Sequence, residues 1–333
     1  MARFDFAPDE LRRYRPEVTE PEDFDAFWAR TLEESRQLAR PATLTRVDSP
    51  LTLVEVHDLE FSGFGGDRVR GWVIVPAGAT EPLPAVVQFV GYGGGRGFPQ
   101  ENLTWASAGY VHVVMDTRGQ GSAWGTGGDT PDPHGSDPAY PGFMTKGITS
   151  PDDYYYRRVF TDAALLIDAV RELPSVDAAR VSVTGGSQGG GIAIAAAGLV
   201  PGLVAAMPEV PFLCHFERAV GLTDNFPYAE IVKYLAVHRT SVEQTFATLA
   251  YFDGVNFAKR ASAPAIFSVG LIDPVCPPST VYAARNHWAR GEQDADIVEY
   301  AFNEHEGGLA YQWEHQATWL AARLQGHGSS QPG

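Results

Sequence analysis

The sequence has few cysteines and no concentration of positive charge. Its 333 residues include only two cysteines, Cys214 and Cys276, which are too few for a disulfide framework. Neither cysteine lies in a spacing typical of a metal site. The formal net charge is −16, and there is no run of lysine or arginine. Because such a surface repels phosphate groups, we do not expect this protein to bind nucleic acid.

Long apolar segments are also missing. The stretch most similar to a membrane helix is 191–210, but Pro201 and Pro208 interrupt it and it is rich in alanine and glycine, which indicates a buried helix followed by a loop. The first residues contain no apolar core of the kind found in secretory signals. We therefore expect a cytoplasmic protein that does not bind membranes.

Short apolar strands alternate with helices along most of the chain. A hydrophobic content of 44% is enough for one large α/β domain or two smaller ones. The patterns predict paired strands within 51–76, further strands at 84–90, 110–115, 180–184, 264–270 and 296–302, and helices at 22–39, 99–108, 154–173, 188–199, 278–290 and 310–324. This alternation predicts a mostly parallel sheet covered by helices on both faces.

We interpret the chain as a single α/β domain spanning 1–333, with three additions. Residues 1–60 form an N-terminal extension, and 205–262 form a helical insertion near the site, because sixty residues are too many for a simple crossover. Residues 326–333 have the composition of a flexible tail.

The most informative motif is the pentapeptide 185–189, Gly-Gly-Ser-Gln-Gly, which matches G-x-S-x-G. An apolar alternating run precedes it and a small-residue helical run follows it. In this context the glycines permit a sharp strand-to-helix turn that exposes the oxygen of Ser187. The motif predicts that Ser187 is a nucleophile, while a plain glycine-rich turn is the alternative.

A nucleophilic serine needs a general base, and that base needs an orienting carboxylate. In α/β-hydrolases the acid and then the histidine follow the serine along the chain, each after a later strand. Asp273 comes shortly after the strand at 264–270 and His305 follows the strand at 296–302, so we predict these two as the partners of Ser187. Asp273 could instead be a turn residue.

The other histidines are weaker candidates for the base. His287 and His315 are predicted inside helices and His112 inside a strand, and His327 lies in the tail. The remaining four precede the predicted acid in the sequence; they are His57, His134, His215 and His238.

Backbone N–H groups must also stabilise the negative oxygen of the reaction. One should come from the residue after the nucleophile, Gln188, and the other from Tyr92 in the glycine-rich loop after the strand at 84–90. That loop fails the G-x-G-x-x-G pattern of dinucleotide sites because the sixth residue is Arg96, and 305–309 fails the H-E-x-x-H pattern because the fifth is Leu309.

The chain resembles the acetyl xylan esterases and cephalosporin-C deacetylases of carbohydrate esterase family seven. Three motifs carry the resemblance: Arg118-Gly119-Gln120, the glutamine of 185–189, and His305-Glu306. Segments 21–28, 142–148 and 153–158 support it, so the match runs from about residue 8 to 324 in the expected order.

The resemblance implies an α/β-hydrolase fold that uses Ser187, Asp273 and His305 as a catalytic triad and Tyr92 and Gln188 as oxyanion donors. It implies that Arg118, Gly119 and Gln120 support the site structurally, that no cofactor or metal is needed, and that the chains form homohexamers acting on small acetylated substrates. Lys146 stands where arginine is expected, and Glu304 adds a charge beside His305.

Two alternatives remain open. A peptidase or thioesterase of the same fold would use the same residues on a different bond, and an inactive hydrolase-like scaffold would only bind. We also expect that the aromatic rings of Phe24, Phe27 and Trp28 contribute to a subunit interface, with packing onto the chain's own core as the alternative.

Overall fold

The computed structural model describes residues 3–289 and 294–328, and its centre is a sheet of nine strands. The strands are β1 (Thr43–Arg46), β2 (Val54–Ser62), β3 (Arg68–Pro76), β4 (Leu83–Phe89), β5 (Val111–Met115), β6 (Val176–Gly186), β7 (Ala205–Glu209), β8 (Ala265–Gly270) and β9 (Ala295–Tyr300). Their order across the sheet is β1-β2-β3-β5-β4-β6-β7-β8-β9.

Six neighbouring strands, from β5 across to β9, are parallel, and β1 to β3 pair in an antiparallel way at the other edge. β5 and β8 are buried along their whole length. Continuous burial is the pattern expected for parallel strands that have helices on both faces, and it confirms the mostly parallel sheet predicted from the sequence.

Helices cover both faces of the sheet. They are α1 (Pro8–Leu11), α2 (Phe24–Leu38), α3 (Thr104–Ser107), α4 (Tyr155–Arg171), α5 (Gln188–Leu199), α6 (Phe216–Leu222), α7 (Tyr228–Val237), α8 (Val242–Ala250), α9 (Gly254–Ala258), α10 (Pro278–Asn286) and α11 (Ala310–Gly328). Alternate residues of β4 show the two faces: Val87 lies in a large core with α4 and α5, and Val86 lies in a smaller core with Trp105 and Leu320.

The predicted helical insertion at 205–262 is wrong at its start, because 205–209 form β7 in the middle of the sheet. Two alanines and a proline give this segment little intrinsic strand preference, and its pairing with β6 and β8 supplies the stability instead. The helices of the insertion, α6 to α9, begin only at Phe216.

The expectation that Phe24, Phe27 and Trp28 serve a subunit interface is also wrong. These rings are 1–3% exposed and pack on the chain's own core, against rings that include Phe257 and Phe252. The indole N–H of Trp28 donates to the carbonyl of Tyr251, which fixes α2 to the insertion. The aromatic face of α2 therefore stabilises the single chain.

Other boundaries differ by a few residues. The predicted helix at 99–108 is a 3₁₀ turn at Pro99–Glu101 followed by α3, because Asn102 leaves the helical region with φ −126° and ψ 54°. α11 extends to Gly328, into the segment predicted as a flexible tail, and 329–333 lie outside the described residues. Within the described ranges, no helix has both the length and the apolar character needed to cross a bilayer.

Candidate active site

Ser187 lies on a strained turn between β6 and α5, with φ 56° and ψ −117°. A Cβ atom on Gly189 would come within 2.1 Å of the carbonyl oxygen of Phe89, and one on Gly185 within 2.5 Å of the backbone of Gly189. Both positions therefore require glycine. The turn places Ser187 at the N-terminus of α5, where unpaired N–H groups and the helix dipole favour negative charge.

The structure brings Ser187, His305 and Asp273 together. Nε2 of His305 lies 2.9 Å from Oγ of Ser187, and its Nδ1 lies 2.8 Å from Oδ2 of Asp273. The three residues follow β6, β9 and β8, which end at the same edge of the sheet. This is the placement that the order of the residues in the sequence predicts.

Asp273 is fully buried, and its carboxylate is held by backbone donors. Oδ1 accepts the N–H groups of Val275 (2.8 Å) and Cys276 (2.9 Å), so Oδ2 faces His305. An ionised carboxylate only accepts hydrogen bonds, so the proton of the imidazole is assigned to Nδ1. Nε2 is then free to accept the hydroxyl proton of Ser187, as a general base must.

The two predicted oxyanion donors lie on either side of this serine. Gln188 is the first residue of α5, and Tyr92 follows β4, the strand next to β6. Within the described residues, neither backbone N–H is paired with an acceptor. The peptide after Tyr92 is held at both polar atoms: its carbonyl accepts the indole N–H of Trp124 (2.6 Å), and the N–H of Gly93 donates to Oε1 of Gln120 (2.6 Å).

Gln120 links the two sides of the oxyanion site. Its Nε2 donates to Oε1 of Gln188 (2.9 Å), and Nε2 of Gln188 donates to the carbonyl of Val90 (3.1 Å). The hydroxyl of Tyr156 also donates to Gln188 (2.8 Å). Both glutamine side chains are buried in this network, so they fix the backbone around the site rather than contact a substrate.

Arg118 and Gly119 precede this glutamine in the loop after β5. The guanidinium of Arg118 is fully buried and donates twice to Asp162 (2.6 and 2.8 Å) and once to Asp67 (2.8 Å), and these carboxylates raise its pKa. Gly119 has φ 69°, a conformation that favours glycine. These contacts fit the structural support predicted for the Arg-Gly-Gln motif.

A cavity of about 600 Å³ opens at Ser187. Ser187, His305 and Tyr92 line it together with apolar side chains, which include Trp124, Val210, Phe226, Pro227, Val275 and Leu309. Phe226 and Pro227 belong to the insertion, so the insertion forms part of the wall. The cavity can hold a small ester with its carbonyl beside the serine.

Two carboxylates near the site were not predicted: Glu209, which is half-buried, and Glu230, which is buried. Glu209 ends β7 and lines the cavity; burial raises its pKa to about 7, while a hydrogen bond with Gln316 lowers it. Glu230 of α7 accepts the hydroxyl of Tyr92 at 2.6 Å. Glu209 could have been found had β7 been recognised, because it stands at a strand's carboxyl end; no local pattern marks Glu230.

The unusual Lys146 and Glu304 have different surroundings. Nζ of Lys146 lies 4.4 Å from the ring centre of Phe143, a cation–π contact. Glu304 is exposed beside His305. Glu306 is also exposed, and a hydrogen bond from Asn303 (2.7 Å) lowers its pKa.

Asp273, Cys276 and His305 form a group whose possible metal-ligand atoms lie within 4.8 Å of one another. Asp273 and His305 are already hydrogen-bonded to each other through Oδ2 and Nδ1. Burial raises the pKa of the Cys276 thiol, which disfavours the thiolate that a metal requires. The triad accounts for this cluster without a metal.

Comparisons of the sequence and of the structure with known proteins both find acetyl xylan esterases. The model of the acetyl xylan esterase family AXE1 matches residues 1–323. Acetyl xylan esterase from Paenibacillus sp. R4 is 39% identical, with a TM-score of 0.88 over 95% of this chain and 99% of the other. Acetyl xylan esterase 1 from Thermoanaerobacterium sp. JW/SL YS485 is 34% identical, with a TM-score of 0.87 over 96% and 99%.

A curated relative, acetyl esterase Axe7A of Xylanibacter ruminicola, is 29% identical over 299 residues. This match covers 84% of the present chain but 62% of the relative, so the chain spans about three fifths of that protein's length. The structural matches confirm the α/β-hydrolase fold expected from the sequence.

Proposed function

This chain belongs to the acetyl xylan esterase family, a family of carboxylic ester hydrolases, and on that premise we propose that it removes acetyl groups from small acetylated substrates. The observation that carries the proposal is the continuous hydrogen-bond path from Ser187 through His305 to Asp273, at the mouth of a cavity. That arrangement activates a serine hydroxyl for attack on an ester carbonyl.

In the first half of the proposed reaction, Oγ of Ser187 attacks the acetyl carbonyl while Nε2 of His305 takes its proton. Asp273 holds the imidazole in the required tautomer and stabilises its positive charge. The negative oxygen of the tetrahedral intermediate accepts the N–H groups of Tyr92 and Gln188. The intermediate then collapses, and the alcohol leaves with the proton from His305.

The second half releases acetate. A water molecule gives a proton to His305 as its oxygen attacks the acetyl carbon on Ser187, and the same N–H groups stabilise the second tetrahedral intermediate. When it collapses, the proton returns from His305 to Oγ of Ser187. The cycle needs no redox partner and no group beyond these residues.

The shape of the cavity supports small acetyl esters as substrates. A volume of about 600 Å³ with a mostly apolar wall suits an acetyl group and a leaving group of a few rings. We therefore propose acetylated xylo-oligosaccharides, cephalosporin C and aryl acetates as the range of substrates.

We also propose that the chain forms a homohexamer, as its family resemblance implies. Large apolar side chains are exposed around the cavity mouth: Trp124 and Phe226 are more than half exposed, and Leu309 is 67% exposed. Burial of such side chains between subunits would offset the repulsion expected from a net charge of −16.

The experiment that tests the proposed function compares wild-type protein with Ser187→Ala on p-nitrophenyl acetate, a thioester and a peptide anilide. We expect acetate to be the best substrate and the variant to lose activity by about 10⁴-fold or more, as triad serines do elsewhere. Faster cleavage of the anilide or thioester would favour the peptidase or thioesterase alternative. A variant that keeps a tenth of the activity would exclude Ser187 as the nucleophile.

A further inference from the structure

The side chain of Tyr92 is fixed by a buried carboxylate of the insertion. Its hydroxyl donates to Oε1 of Glu230 at 2.6 Å and accepts the N–H of Phe143 at 2.5 Å. The other oxygen of Glu230 accepts the N–H of Met144 at 3.0 Å. Glu230 thus joins three parts of the chain: α7 of the insertion, the loop after β4, and the segment before α4.

Glu230 is deeply enclosed in this position. It is 3% exposed, and a Cβ atom on Gly142 would come within 2.2 Å of its carboxylate. Gly142 has φ 135°, so the 142–144 segment makes room for the carboxylate through a glycine conformation. The Tyr92 ring itself packs edge-on against Phe143 and Phe212, with ring centres 5.5 and 6.3 Å apart.

Burying a carboxylate is costly unless its oxygens are hydrogen-bonded. A phenylalanine at position 92 would fill the same apolar space, so packing alone does not require the hydroxyl of Tyr92 or the carboxylate of Glu230. The pair adds directional hydrogen bonds. These fix the side chain of Tyr92, whose backbone N–H is the proposed oxyanion donor, while Trp124 and Gln120 hold the next peptide.

We infer that Glu230 is a positioning residue for the oxyanion site: through the hydroxyl of Tyr92 it holds the backbone N–H of Tyr92 where the negative oxygen develops. This inference rests on the proposed function. It makes the insertion part of the catalytic support, because α7 carries Glu230 and the residues just before α7, Phe226 and Pro227, form the cavity wall.

The test uses the variants Tyr92→Phe, Glu230→Gln and their combination, with Glu243→Gln as the matched control. Glu243 is an exposed glutamate on α8 of the same insertion. Each protein is assayed with p-nitrophenyl acetate for kcat and KM, with active sites counted by a fluorophosphonate probe, and its stability is measured in guanidinium chloride. Ser187→Ala is run in parallel.

We expect Tyr92→Phe and Glu230→Gln each to lower kcat by about 10- to 100-fold, less than the roughly 10²- to 10³-fold loss for removing a whole oxyanion donor. KM should stay within about twofold, because the contact acts on the transition state rather than on the bound ester. The double variant should match the single ones, since both changes break one connection. Glu243→Gln should behave as wild type.

The inference is overturned if Glu230→Gln keeps a wild-type kcat per labelled site and changes only stability, or if the two losses multiply in the double variant. Tyr92→Phe decides the matter should Glu230→Gln fail to fold. In all these cases Ser187→Ala remains inactive. Retained activity in Ser187→Ala would instead reject the proposed function, and the inference with it.

Discussion

Replacing Arg118 with lysine should destabilise the protein strongly without removing its chemistry. Arg118 makes a two-pronged contact with Asp162 and a further hydrogen bond to Asp67, and both Arg118 and Asp162 are at most 1% exposed. Lysine keeps the charge but cannot form the two parallel bonds. Asp162, whose pKa burial already raises, would lose part of the compensation for its buried charge.

The loss of one partner from a buried ion pair costs about 3–5 kcal/mol, and we expect Arg118→Lys to lie near the lower end because the charge remains. The control is Arg36→Lys, whose single contact with Asp168 has side chains 41% and 36% exposed. An exposed pair of that kind contributes about 0–1 kcal/mol. Guanidinium unfolding followed by tryptophan fluorescence gives both values.

Activity is measured on the same samples at low temperature. If Arg118 supports the site structurally, kcat per labelled active site should fall only a few-fold. The reasoning is refuted if Arg118→Lys costs no more than Arg36→Lys, or if kcat collapses while the free energy of unfolding is unchanged.

Three further predictions concern the half-buried Glu209, the cavity and the assembly. Because burial raises the pKa of Glu209 from 4.5 to about 7, the folded protein holds a proton that the unfolded chain has lost between these values, so this residue lowers stability as pH rises through that window. Glu209→Gln should therefore gain about 1–3 kcal/mol relative to wild type between pH 4.5 and 7, measured by urea unfolding; a constant difference would contradict this. Turnover of p-nitrophenyl esters should fall sharply from acetate to butyrate, and a preference for octanoate would indicate a longer acyl pocket. Light scattering at moderate salt should give a mass near six chains, and a monomer at all concentrations would reject the hexamer.

The positions of Ser187, Asp273 and His305 could be predicted because parallel strands end at one edge of a sheet. Once β6, β8 and β9 are recognised from their apolar runs, the residues just after them are expected at the same edge of the sheet. This holds regardless of the conformation of the segments that connect the strands. The turn at Ser187 was predictable for a second reason, since the surrounding glycines permit the close backbone approaches that such a turn needs.

What the sequence did not reveal depends on tertiary contacts. β7 has weak local preference and is stabilised by its two neighbours. The apolar face of α2 is visible in the sequence, but the pattern is the same whether Trp28 packs on its own chain or on another subunit. Glu230 and Tyr92 are 138 residues apart and no motif joins them, so only the fold shows that they meet.

In the proposed mechanism Ser187 carries the acetyl group during turnover, so the decisive experiment is to trap the acetylated serine. The protein is mixed with p-nitrophenyl acetate, quenched in acid at short times, and digested for peptide mass mapping. We expect a burst of nitrophenol and an added acetyl mass on the peptide that contains Ser187, both absent from Ser187→Ala. Steady turnover with no acetylated Ser187, or acetylation of another residue at the rate of turnover, would contradict this mechanism.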